Sequence, residues 1–79
     1  MKLPRNLNGT DLAKCLCRAW DYEQVHQVGS HIILQTESPS SHRIAIPAHT
    51  PLRIGTLNAI LRDVAKHKSI DRQVILDSI

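Results

Sequence analysis

The chain has 79 residues, a formal net charge of +3 and 42% hydrophobic residues. A chain this short holds one small core, which excludes a deep enclosed pocket and favours a domain acting on a large polymer or partner. The apolar content excludes wholesale disorder, and the mild basicity suits a phosphate-rich partner as well as it suits plain solubility.

Residues 1–8 read as an extended lead-in containing Pro4. The opening MKLPRNLNG has charge but no apolar stretch behind it, so no signal peptide is expected. No apolar run approaches the length of a membrane span. Asn8 is placed as a helix N-cap, with Asp11 close to the positive helix end. Leu12, Cys15, Leu16 and Ala19 recur at helical spacing and predict an amphipathic helix over 9–20. Asp21 follows, where helices often end in a left-handed residue. The chain's two cysteines, Cys15 and Cys17, point to different sides of that helix and cannot pair, which fits a reducing cytoplasm. One should pack near the core and the other at the surface.

Residues 22–27, YEQVHQ, alternate poorly and make a weak strand. SHIILQT at 30–36 is a better one. ESPSS is a polar loop. HRIAIP at 42–47 alternates cleanly, with Ile44 and Ile46 on one face and Arg43 and Ala45 on the other. Residues 48–55 form a loop braced by Pro47 and Pro51. Gly55 or Thr56 is expected to cap the next helix, in which Leu57, Ile60, Leu61 and Val64 follow the i, i+3, i+4, i+7 pattern. Lys66 and Lys68 suit its C-terminal end. Ser69 should start a shorter helix through Ile79, a cap on the core.

The expected fold is a single α+β domain over 1–79, ordered α-β-β-β-α with a short C-terminal helix. Its three strands form an antiparallel meander with helices on one face only. Ile32, Leu34, Ile44 and Ile46 would face the helices. His31, Ile33 and Gln35 would lie on the open face beside Arg43 and Ala45.

An accessible histidine is the natural acid–base group at neutral pH. RNA carries its own nucleophile, the 2′-hydroxyl, so a histidine can cleave it without metal, with cations steadying the phosphate charge that builds up. His31 with Arg43 nearby is a minimal arrangement of that kind. The same residues also read as an ordinary solvated surface. His31, His42 and His49 lack metal-ligand spacing, so neither metal nor cofactor is expected. His67, in a KHK helix end, is read as solvated, and Gly29 as a turn residue. With one Tyr, one Trp and no Phe, the chain offers no aromatic platform for splayed bases.

KLPRNLNGTDLAKCL, WDYEQVHQVGSHIIL and IPAHTPLRIGTLNAILRDV, taken together and in order, resemble HicA-type toxins, the mRNA-interferase partners of HicB antitoxins. The Gly-Ser-His element is a weak signal alone. It gains specificity from the Pro-x-His-x-x-Leu-x-x-Gly-Thr-Leu-x-x-Ile-Leu-Arg run at 47–62. The resemblance implies a fold like the double-stranded-RNA-binding domain. It also implies ribosome-independent cleavage of mRNA by the histidine of Gly-Ser-His, here His31, and a HicB-type antitoxin that covers it. His49 is a candidate second acid–base group or a loop-ordering residue. Lys14, Arg43 and Arg53 are candidate phosphate contacts. The chain departs from the family pattern at His26, where Arg is frequent, at Val28, where a basic residue is frequent, and at Asp21, where Gly is frequent. The competing expectation is a non-catalytic RNA-binding or protein-interaction module on the same scaffold.

Overall fold

A computed structural model of the chain describes residues 7–48 and 51–79. The elements run α1 (Gly9–Ala19), β1 (Glu23–Val28), β2 (His31–Thr36), β3 (His42–Pro47), α2 (Ile54–Lys68) and α3 (Arg72–Asp77). The strands form one antiparallel sheet in the order β1-β2-β3. This is the α+β meander with helices on one face that the sequence predicts. Among the described residues no helix is long and apolar enough to cross a membrane.

The covered face is built from alternation. Ile32 and Leu34 of β2 and Ile44 and Ile46 of β3 are buried, and they meet Leu12 and Leu16 of α1 and Leu57, Ile60, Leu61 and Val64 of α2. Strand period two and helix period 3.6 thus converge on one apolar layer. α1 lies so close to the end of β3 that only glycine fits at position 9, where a Cβ would overlap the Pro47 carbonyl oxygen.

The helix ends differ in part from expectation. Asn8 is the N-cap of α1, but its side chain accepts no capping bond. Asp21 does adopt the left-handed conformation, with φ 61°. α2 starts two residues before Thr56, at Ile54, with Arg53 as N-cap. Ser69 does not open a helix. It is the left-handed C-cap of α2, with φ 58°, and the Ile70 N–H reaches back to the Ala65 carbonyl at 3.0 Å. α3 begins after Asp71, whose carboxylate accepts from the Gln73 N–H at 3.2 Å.

α3 closes the core through Ile75, which is fully buried. Its end is pinned to α1: the Trp20 Nε1–H donates to Ser78 Oγ at 3.0 Å, and the buried Cys15 thiol donates to the Ser78 carbonyl at 3.4 Å.

The far end of the sheet carries a cluster of polar rings. The buried Tyr22 hydroxyl lies 2.9 Å from His42 Nδ1, and the His42 and His67 rings stack. The His67 Nε2–H donates to the Ser40 carbonyl at 2.9 Å. Lys68 Nζ donates to Thr36 Oγ1 at 2.9 Å and lies 5.2 Å from the Tyr22 ring centroid. His67 and Lys68 therefore tie the β2–β3 loop to α2. The expectation that His67 is merely solvated is corrected: its partners are Ser40 of the β2–β3 loop and His42 at the start of β3, both distant in sequence.

Candidate functional site

His31 is the first residue of β2 and is exposed. Two residues, Gly29 and Ser30, connect it to the end of β1, where Val28 is its cross-strand partner. Gly29 has φ 57° and open space around its α-carbon. Glycine with positive φ at the first central position is the pattern of a type II′ hairpin turn, whose twist matches that of the flanking strands. The Gly-Ser pair is thus what starts β2 at the histidine.

This end of the sheet is cross-braced. The Ala48 N–H donates to the Ser30 carbonyl at 2.7 Å, and Thr10 Oγ1 donates to the Ala48 carbonyl at 2.8 Å. Pro47 stands opposite His31 on β3 and packs on Gly9. The start of α1 therefore fixes the backbone on both sides of the imidazole.

The face around His31 is flat and open. β2 contributes His31, Ile33 and Gln35, and their β3 partners are Pro47, Ala45 and Arg43. Val28, 57% exposed, adds the β1 side. The face holds no Phe, Tyr or Trp among the described residues. Its shape suits contact with a backbone rather than with splayed bases.

The candidate cations fall in different places. Arg43 lies on the open face but opposite Gln35, four residues and about 13 Å along the strand from His31. Its Nε and Nη2 donate to Gln35 Oε1 at 3.0 and 2.6 Å. The expectation that Arg43 sits beside His31 is corrected: the antiparallel register carries it to the other end of the face. Arg53 is nearer the histidine's end, on the rim of a shallow depression of about 200 Å³ that it shares with Pro47, Pro51 and Thr56. Lys14 is exposed on α1, in the layer that covers the sheet's other face. His49 lies outside the described residues.

Other reactive groups stand apart from this site. His42 is opposite Thr36, at the far end of β3 from Pro47, so His31 and His42 are not brought together. Burial pushes the His42 imidazole below its ordinary value, and the neighbouring His67 adds to that shift. Burial, helped by Asp63, pushes the Tyr22 hydroxyl up to about 12. Burial also raises the Cys17 thiol above its ordinary value. Among the described residues no cluster of metal-ligating side chains is present.

One residue of the open face was not among the expected acid–base groups. His26 of β1 is paired with Ile33, next to His31's place in the register. The sequence marks it only as a departure from the family pattern, at a position where Arg is frequent. No family model, curated protein or solved structure matches the chain.

Proposed function

We propose that the chain is a metal-independent endoribonuclease of the HicA type, acting on mRNA in the cytoplasm as the toxin of a toxin–antitoxin pair. The observation that carries this reading is His31, exposed on an open sheet face and held at the start of β2 by the Gly-Ser turn. An imidazole so placed can take the 2′-hydroxyl proton of RNA or give one to the leaving 5′-oxygen. Arg53 steadies the reacting phosphate, and Arg43 holds one further along the strand. A HicB-type antitoxin would inhibit by covering the same face.

Support comes from the agreement between the motif and its setting. The resemblance assigns the histidine of Gly-Ser-His, and that side chain is one a polynucleotide can reach. The test is cleavage of a single-stranded RNA by the purified chain in the presence of a chelator. Wild type is expected to cut and His31→Ala to be inactive while melting at nearly the same temperature. Wild type that binds RNA without cutting it would leave a binding module, and His31→Ala that still cuts would remove the histidine from the chemistry.

A further inference from the structure

The register of β1 changes partway along the strand. Glu23 pairs with Gln35 and Gln24 with Leu34. Continued regularly, Val25 would face Ile33, and His26 would face Ile32. Instead His26 pairs with Ile33, Gln27 with Ile32 and Val28 with His31, so Val25 is the extra residue of a β-bulge. Because directly paired residues share a face, the shift decides where each side chain goes. Without the bulge, His26 would share the face of Ile32, which is buried under the helices. With it, His26 joins Ile33 and His31 on the open face, and is exposed.

His26 and His31 are then diagonal neighbours across the β1–β2 pair, a relationship that sets such residues about 7–8 Å apart. The other described cross-strand neighbours of His31 cannot titrate: Val28 and Pro47 lie opposite it, and Ala45 is its diagonal on β3. Among the described residues, the charged side chains at this face are Glu23, Arg43 and, through its bond from Gln35, Glu37 at the far end, with Arg53 beyond Pro47.

We propose that the β1 bulge assembles a two-histidine centre in which His26 and His31 divide the two proton transfers of RNA cleavage. The proposal rests on the ribonuclease reading above and supplies its second acid–base group from β1. In-line displacement at phosphorus sets the attacking and leaving oxygens on opposite sides, so two separated imidazoles can each serve one. The neutral imidazole removes the 2′-hydroxyl proton as the O2′–P bond forms. The P–O5′ bond breaks, and the imidazolium gives its proton to the departing 5′-oxygen. The products are a 2′,3′-cyclic phosphate and a 5′-hydroxyl, and exchange with water resets the two rings.

The experiment compares wild type, His26→Ala, His26→Arg, His31→Ala and His31→Arg on a single-stranded RNA over a range of pH. Wild type is expected to slow at both low and high pH, since one ring must be neutral and the other protonated. His26→Ala should lose about 100-fold or more and one of the two limbs. His26→Arg, which restores charge but transfers no proton near neutral pH, should stay as slow. On an RNA with sulfur in place of the leaving 5′-oxygen, which departs without an acid, only one of the two alanine variants should recover. Cleavage by His26→Ala within a few-fold of wild type, full activity of His26→Arg, or recovery of both or neither alanine variant overturns the proposal while leaving the ribonuclease reading in place. Wild type that makes no cut overturns both.

Discussion

His42 and His67 stack nearly parallel, with ring centroids 4.3 Å apart and planes inclined by 15°. Burial and the neighbouring His67 both hold His42 below its ordinary value of 6.5, against an opposing pull from Asp63. Such a group binds fewer protons in the fold than in the unfolded chain around that pH. Its contribution to stability is full above 6.5 and is lost as the pH falls through the lowered value. The melting temperature should therefore drop between about pH 7.5 and about pH 5. His42→Gln, which can still meet the Tyr22 hydroxyl, should show a visibly weaker drop. Equal pH dependence in the two proteins, followed by circular dichroism, would refute the assignment.

Gly9 couples the helix layer to the site. A Cβ there would overlap the Pro47 carbonyl and press on Ile46. Gly9→Ala should cost about 1–3 kcal/mol by overpacking, measured by urea denaturation. Pro47 is also the cross-strand partner of His31, so the strain reaches the open face. On the proposed ribonuclease reading, RNA cleavage by the variant should fall further than its folded fraction does. A variant of unchanged stability would mean that α1 does not pack against β3 as described.

What the sequence makes legible follows the strength of local periodicity. HRIAIP reads as a strand with the right faces because Ile44 and Ile46 alternate with exposed Arg43 and Ala45. The α2 apolar spacing is equally plain, and Leu57, Ile60, Leu61 and Val64 are all buried. β1 is harder to read for two reasons. All six of its residues are exposed, so burial imposes no pattern, and the bulge at Val25 breaks what alternation remains. The alternation therefore does not place His26 on the open face. Ser69 looks like an N-cap, but serine beside a helix is ambiguous, and the backbone uses it to end α2. The roles of His67 and Lys68 depend on Thr36, Ser38 and Ser40, contacts that no local pattern encodes.

Leu61 and His31 separate stability from chemistry. Leu61 is fully buried between α2 and the rest of the core, so Leu61→Ala should cost about 2–5 kcal/mol in chemical denaturation. His31 is exposed on the open face, and His31→Ala should change stability by no more than about 0.5 kcal/mol. A near-neutral Leu61→Ala would undo the register of α2. A costly His31→Ala would show an imidazole engaged in holding the fold, which its exposure contradicts.

Two residues with a Cβ occupy the left-handed region, Asp21 at φ 61° and Ser69 at φ 58°. That conformation costs most residues roughly 1–2 kcal/mol, through the approach of Cβ to the following carbonyl. Glycine escapes the cost, but gives back about 0.4–1 kcal/mol through its freer unfolded chain. Ser69→Gly should therefore stabilise the protein by about 0.5–1 kcal/mol, seen as a higher melting temperature. Asp21→Gly should gain less, because aspartate visits this region more readily than serine does. Since neither residue lies on the open sheet face, neither change should alter the proposed RNA cleavage per folded molecule. A loss of stability in Ser69→Gly would contradict the left-handed end of α2, and with it the path of the chain from α2 into α3.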